Sequence, residues 1–97
     1  DLEHHIHYLN EVRIADTVAI RPRLLNRSAK RLHYLMFMVN ETRGLVSSTF
    51  ECVHSHIDKR TRRTSPYPAI LSERMDAIIT AHQQLTWAPP VCGSMGA

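Results

Sequence analysis

The residue pattern of this chain changes period once, and that change constrains the fold more than any other feature. Through residue 57 the apolar residues recur in strand fashion; from Ala69 to Leu85 they recur at three- and four-residue steps. A period of two sends alternate side chains to opposite faces of a strand, whereas a period of 3.6 draws a stripe along a helix. Strands that all precede one helix do not build the alternating units of a parallel α/β sheet. The expectation is an α+β fold of order β-β-β-β-α. It forms one domain over residues 1–97, with strands at about 3–57, a helix at about 69–85 and a tail at 88–97.

Each run carries its own signal. In residues 3–12, Glu3, His5, His7 and Glu11 share one parity, and Ile6, Tyr8 and Val12 the other. That predicts a strand with one polar and one apolar face, with a short helix as the competing reading. Ala15-Asp16 reads as a turn. Over residues 17–25, Val18, Ile20 and Leu24 alternate with Thr17, Arg21 and Arg23. Pro22 lacks an N–H, which assigns this run to a sheet edge or a bulge. Residues 31–39 are continuously apolar enough to suggest a central strand covered on both faces. Asn40 to Gly44 supplies a hairpin loop, and residues 45–57 the next strand. The four runs are expected to form an antiparallel meander. In the helix, Leu71, Met75, Ile78, His82 and Leu85 form the stripe, widened by Ile70 and Ile79.

Composition narrows the function classes. A chain of 97 residues with 43% hydrophobic and 22% charged residues carries one modest core. The net charge of +3 and pI near 9.2 suit a phosphate-rich ligand as well as a nucleic acid. The basic residues lack aromatic interleaving, zinc-finger spacing and a recognition helix, so no nucleic-acid partner is expected. No apolar run approaches the ~20 residues of a membrane span, and the polar opening does not read as a signal peptide. A cytoplasmic location without membrane contact is the expectation. Cys52 and Cys92 form no C-x-x-C motif, and Cys52 reads as a small buried hydrophobe.

Three constellations could carry chemistry. Seven histidines are present, and His5/His7 and His54/His56 are each spaced to share a strand face. Converging imidazoles would hold a metal; otherwise these are strand histidines with ordinary polar partners. Glu3 beside His5 offers a carboxylate that can orient an imidazole for proton transfer, against the plainer reading of a solvated strand face. Lys30 and Arg31, with Lys59, Arg60, Arg62 and Arg63, could contact phosphates, although solubility alone explains such patches. No G-x-S-x-G elbow and no Gly-rich phosphate loop occurs. Trp87 is assigned to capping the core.

Several of these stretches together resemble one family. Glu3-His4-His5-Ile6-His7-Tyr8-Leu9-Asn10-Glu11 is similar to the E-x-H-I-x-Y-L-x-E strand of hotdog-fold acyl-CoA thioesterases, the 4-hydroxybenzoyl-CoA thioesterase-like group. Ala29-Lys30-Arg31-Leu32-His33 resembles the A-K-R-L-H strand start of the branch associated with carnitine dehydrogenase, whose members act on betainyl-CoA. Ser48-Thr49-Phe50-Glu51 and His56-Ile57-Asp58 are similar to its A-T-A-E and H-V-D segments. His82, Pro90, Gly93 and Gly96 follow its closing pattern.

The resemblance implies a hotdog-like antiparallel sheet and hydrolysis of an acyl-CoA thioester, with coenzyme A as part of the substrate and no separate cofactor. It implies a homo-oligomer, dimer or tetramer. It also implies that the family's first strand, central helix and Asp-containing motif are missing, so the chain is expected to be a C-terminal part whose activity alone is in doubt. Glu3 and His5 become the candidate catalytic residues. Tyr8, Lys30, Arg31, Glu51, Arg60 and Arg62 become candidate substrate contacts, with Tyr8, Tyr34 and Glu51 suited to a quaternary ammonium. Two other classes stay open: a non-catalytic association module and a histidine-cluster metal domain. The family's Gly-Asp turn reads Ala15-Asp16, which removes a glycine from that bend.

Overall fold

A computed structural model describes residues 2–97. The elements are β1 Glu3–Tyr8, β2 Val18–Arg27, β3 Arg31–Asn40, β4 Leu45–Ser55 and α1 Ala69–Gln83. The strands form one antiparallel sheet of order β1-β4-β3-β2. The α+β class and the element order agree with the sequence pattern, and residues 3–8 are strand, not helix.

The four-strand meander needs correction. Only β2, β3 and β4 form one. β1 pairs with β4 on the far side, with Glu3 opposite Val53 and Tyr8 opposite Ser48. Residues 9–17 do not turn back on β1; they cross the end of the sheet. The β3–β4 turn and the start of β4 hold them there: Asn10 Nδ2 donates to the Val46 carbonyl at 2.8 Å, Arg43 Nη1 to the Glu11 carbonyl at 3.2 Å, and the Thr17 N–H to Thr42 Oγ1 at 2.8 Å. Ala15 closes this crossing at a φ of 74°, in the left-handed region. Asp16 fixes the bend, its Oδ2 accepting from the Arg13 N–H at 2.9 Å and from Asn40 Nδ2 at 2.8 Å.

β2 is an edge strand, which accommodates Pro22 in regular register opposite Met36, and its bulge falls further on, between Leu24 and Asn26. Helix α1 packs on this edge and makes its element contacts with β2. His82 Nδ1 accepts the Leu24 N–H at 2.8 Å, and Asp76 takes Arg27 in a two-point pair at 2.6 and 2.9 Å. The helical stripe is less used than its pattern suggests. Ile79 is buried, whereas Ile70, Leu71 and Ile78 stay exposed, because one edge strand covers little of the helix.

β3 is central, as expected, and its Leu35 is fully buried. Tyr34, Met36 and Met38, on the other face, are only half-buried. Cys52 is buried, as its composition class suggests. The buried hydrophobic residues are Leu35, Cys52, Val53 and Ile79. More numerous are the buried polar ones, among them Arg23, His33, Thr49 and Glu51. Buried polar groups need partners, and a sheet face rich in them is a place to look for chemistry.

Candidate functional site

Two rows of cross-strand neighbours organise this polar face. Arg23, Leu35, Glu51 and His5 lie opposite one another across β2, β3, β4 and β1. The adjacent row is Arg21, Phe37, Thr49 and His7. Directly opposed residues lie close enough for side-chain contact, so each row is a continuous path from a guanidinium to an imidazole.

The first row holds a buried carboxylate. Glu51 is 2% exposed, and its Oε2 accepts from His33 Nε2 at 2.7 Å. Its Oε1 accepts from the Cys92 N–H at 2.8 Å. Burial pushes this carboxyl up, but the hydrogen bonds from His33 and Cys92 outweigh it, and the group sits below its ordinary value. At the other end of the row, buried Arg23 donates from Nη1 to the Trp87 carbonyl at 2.9 Å. Its guanidinium carbon lies 4.1 Å from the centre of the Trp87 ring. The ring meets Phe37 edge-on, with centroids 5.5 Å apart.

Two buried charges of opposite sign therefore pin the segment after the helix onto the sheet. Arg23 holds it at Trp87, and Glu51 holds it at Cys92. Trp87 is half-exposed and forms a wall over the sheet, which corrects its assignment as a core cap. Between wall and sheet lies a cleft of about 950 Å³. Its floor is His5, His7, Thr49, Phe37 and Arg21; Leu9, Val39 and Val46 close one end; Trp87, Pro90, Val91 and Cys92 form the wall.

His5 brings a second acid–base pair to this floor. Its Nε2 donates to Glu3 Oε2 at 3.0 Å, and both side chains are part-exposed. The carboxylate fixes the tautomer and leaves Nδ1 as the basic nitrogen. Thus Glu3, His5 and Glu51 gather on one face. Tyr8 does not join them: it pairs with Ser48, projects to the opposite face and is 82% exposed. Its opposite parity was legible in the sequence, and no bulge interrupts β1. Tyr34, paired with Cys52, shares the Tyr8 face. The cation box of Tyr8, Tyr34 and Glu51 is therefore not assembled.

Lys30, Arg31, Arg60 and Arg62 are all exposed and occupy the end of the sheet away from the Leu9 end of the cleft. The His56 N–H donates to the Lys30 carbonyl at 2.8 Å, joining the β2–β3 turn to the connector. In that connector Asp58 Oδ1 accepts from the Arg60 N–H at 2.8 Å, and Arg62 takes a left-handed φ of 59°. Six residue steps along β4 lead from Thr49 to Ser55 at the basic end, about 20 Å at strand rise.

The four-imidazole convergence fails on parity. His5 and His7 share the Glu51 face, whereas His54 lies on the Cys52 face of β4. His56 lies past the strand and bonds to the Ser65 carbonyl at 3.0 Å. Among the described residues, no cluster of three or more His, Cys, Asp or Glu is placed to hold a metal ion. Sequence reasoning missed His33, Thr49 and Phe37 as site neighbours. Arg21 and Arg23 were visible only as the polar face of their run, and nothing local marked Trp87 as a cleft wall.

Comparison with known proteins identifies the fold family. The sequence profile of the thioesterase-like superfamily matches residues 1–75. The chain is 29% identical over 86 residues to betainyl-CoA thioesterase of Pseudomonas aeruginosa PAO1, covering 87% of this chain and 53% of that protein. It is 26% identical over 84 residues to L-carnitine dehydrogenase/betainyl-CoA thioesterase of Rhizobium meliloti 1021, covering 87% of this chain and 17% of that protein. A Staphylococcus aureus protein solved in complex with CoA superimposes with a TM-score of 0.83 at 28% identity, covering 99% of this chain and 60% of its own. The chain thus spans about half or less of these curated relatives. With its hotdog-type sheet and a profile match over most of its length, the chain belongs to the thioesterase-like superfamily.

Proposed function

We propose that this domain hydrolyses acyl-CoA thioesters in the cleft beneath Trp87. The observation that carries the reading is the Glu3–His5 pair, with His5 on the cleft floor. Water held against His5 Nδ1 attacks the thioester carbonyl carbon and gives its proton to that nitrogen. The Thr49 hydroxyl is a donor within the same floor for the oxyanion that forms. Collapse of the tetrahedral intermediate breaks the carbon–sulfur bond. The leaving thiolate takes the proton from His5, and the products are a carboxylic acid and CoA.

The cleft volume of about 950 Å³ is that of a ligand pocket, and its walls are largely apolar, as an acyl-pantetheine chain requires. Lys30, Arg31, Arg60 and Arg62 supply cations at the far end of the sheet for the CoA phosphates. The names of two relatives carry betainyl-CoA, which makes small polar acyl groups the class to test first. The test is release of free thiol from a panel of short acyl-CoAs by the purified chain. Release above the uncatalysed rate supports the reading; none with any acyl-CoA contradicts it.

A second reading rests on the opposite face. Ile6, Tyr8, Val18 and Ile20 are exposed there beside half-buried Met36, Met38 and Phe50. A patch of this kind favours association, so we also propose that the chain self-associates. Light scattering that gives a multiple of 11.1 kDa supports this, and a monomer mass at micromolar concentration contradicts it.

A further inference from the structure

Among the described residues, the one Asp, Glu, Lys or Arg side chain that lines the cleft is a cation. Arg21 is the lysine-or-arginine residue on its floor, and no aspartate or glutamate lines it among the described residues. Two carboxylates lie near, and both are engaged. Glu51 is buried beneath the floor with one oxygen on His33 and the other on the Cys92 N–H. Glu3 stands outside the lining and is bonded to His5.

The aromatic wall does not replace them. A quaternary ammonium is recognised by aromatic faces or carboxylates. Trp87 already stacks on a cation of the protein itself, Arg23, 4.1 Å from its ring centre. Phe37 meets Trp87 through an edge-to-face contact and is the cross-strand partner of Arg21. A second cation placed against this wall would meet two guanidiniums.

Resting on the thioester-hydrolase reading of the same cleft, we infer that its acyl end selects a group bearing a carboxylate over one bearing a trimethylammonium. Arg21 is the residue that sets this preference. Its guanidinium can take a carboxylate through two parallel hydrogen bonds. The substrate class is then the monothioester of a short dicarboxylic acid, and the domain departs from the betainyl substrate in its relatives' names.

The test uses the purified 97-residue chain and three N-acetylcysteamine thioesters, which carry no phosphate and so report on the acyl group alone. Their acyl groups are glutaryl, betainyl and 3,3-dimethylbutanoyl; the last is the uncharged isostere of betainyl. Binding is read from the indole N–H resonance of Trp87, the single tryptophan, and hydrolysis from thiol release. The expected order of affinity is glutaryl, then 3,3-dimethylbutanoyl, then betainyl, with about tenfold between the two charged ligands, the scale of reversing one charge near another in a solvated cleft. Arg21→Gln is expected to abolish the difference between the charged pair; as Arg21 is exposed, it leaves the fold intact. Betainyl binding at least as tightly as its isostere, an order indifferent to Arg21→Gln, or no binding by any of the three overturns the inference. Glutaryl preference in binding without thiol release would leave the selectivity standing and remove the hydrolase reading.

Discussion

His33 and Glu51 lie on neighbouring strands and share a hydrogen bond of 2.7 Å, with the two side chains 6% and 2% exposed. The same carboxylate accepts the Cys92 N–H at 2.8 Å. One buried anion thus links the centre of the sheet to the segment that walls the cleft. Removing the carboxylate leaves a donor on each side without its partner, at a cost of roughly 2–4 kcal/mol. Glu51→Gln is expected to lower unfolding stability in urea by about 2 kcal/mol, and Glu51→Ala by more.

The same pair dictates a pH dependence. The Glu51 carboxyl is held below its ordinary value of 4.5. The unfolded chain therefore binds this proton more readily than the folded one. The stabilisation is fully present above pH 4.5 and is lost as pH falls through the lower folded-state value. Stability measured from pH 7 downward should decline in that acid range for the wild type, and decline less steeply for Glu51→Gln.

Ala15 holds a φ of 74° at the end of the crossing from β1 to β2. A left-handed conformation costs a non-glycine residue roughly 1–2 kcal/mol, partly offset by glycine's greater freedom when unfolded. Ala15→Gly should raise the urea midpoint by an amount worth up to about 1 kcal/mol. A lower midpoint would mean that Asp16 and Asn40 relieve the bend without help from residue 15.

The open edge of β2 is closed at one point by a side chain, the Leu24 N–H donating to His82 Nδ1 at 2.8 Å. His82→Phe removes that acceptor. It should speed hydrogen exchange at Leu24 selectively and cost about 1 kcal/mol of stability. Exchange that rises equally along β2 would point instead to loss of helix docking.

The sequence showed more of the fold than of the site, for physical reasons. Alternation is local, so the strand over residues 3–8, the Pro22 edge strand and the hairpin at Gly44 were legible. The partner of β1 was not, because residues 9–17 could turn back or cross, and contacts with Val46 and Thr42 decide. Parity placed Glu3 and His5 together and Tyr8 apart. It could not place His33 against Glu51, because that contact depends on the β3–β4 register. Nor could it show Trp87, 64 residues beyond Arg23, closing over it.

Trp87 is central to the cleft wall. Trp87→Ala should remove the contacts with Arg23 and Phe37 and leave a buried guanidinium uncovered. The expected outcome is a loss of about 2–3 kcal/mol in stability for a half-buried tryptophan. An acyl-CoA KM raised severalfold should accompany it in steady-state assays at a temperature where the variant stays folded.

The most direct test of the proposed chemistry compares His5→Gln with the wild-type chain in thiol release from acyl-CoA. The side chain is part-exposed, so the substitution leaves the sheet intact. If His5 is the base, kcat falls by about 10²–10⁴ while KM changes little, and Glu3→Gln causes a smaller fall. Wild-type kcat retained by His5→Gln would contradict the account.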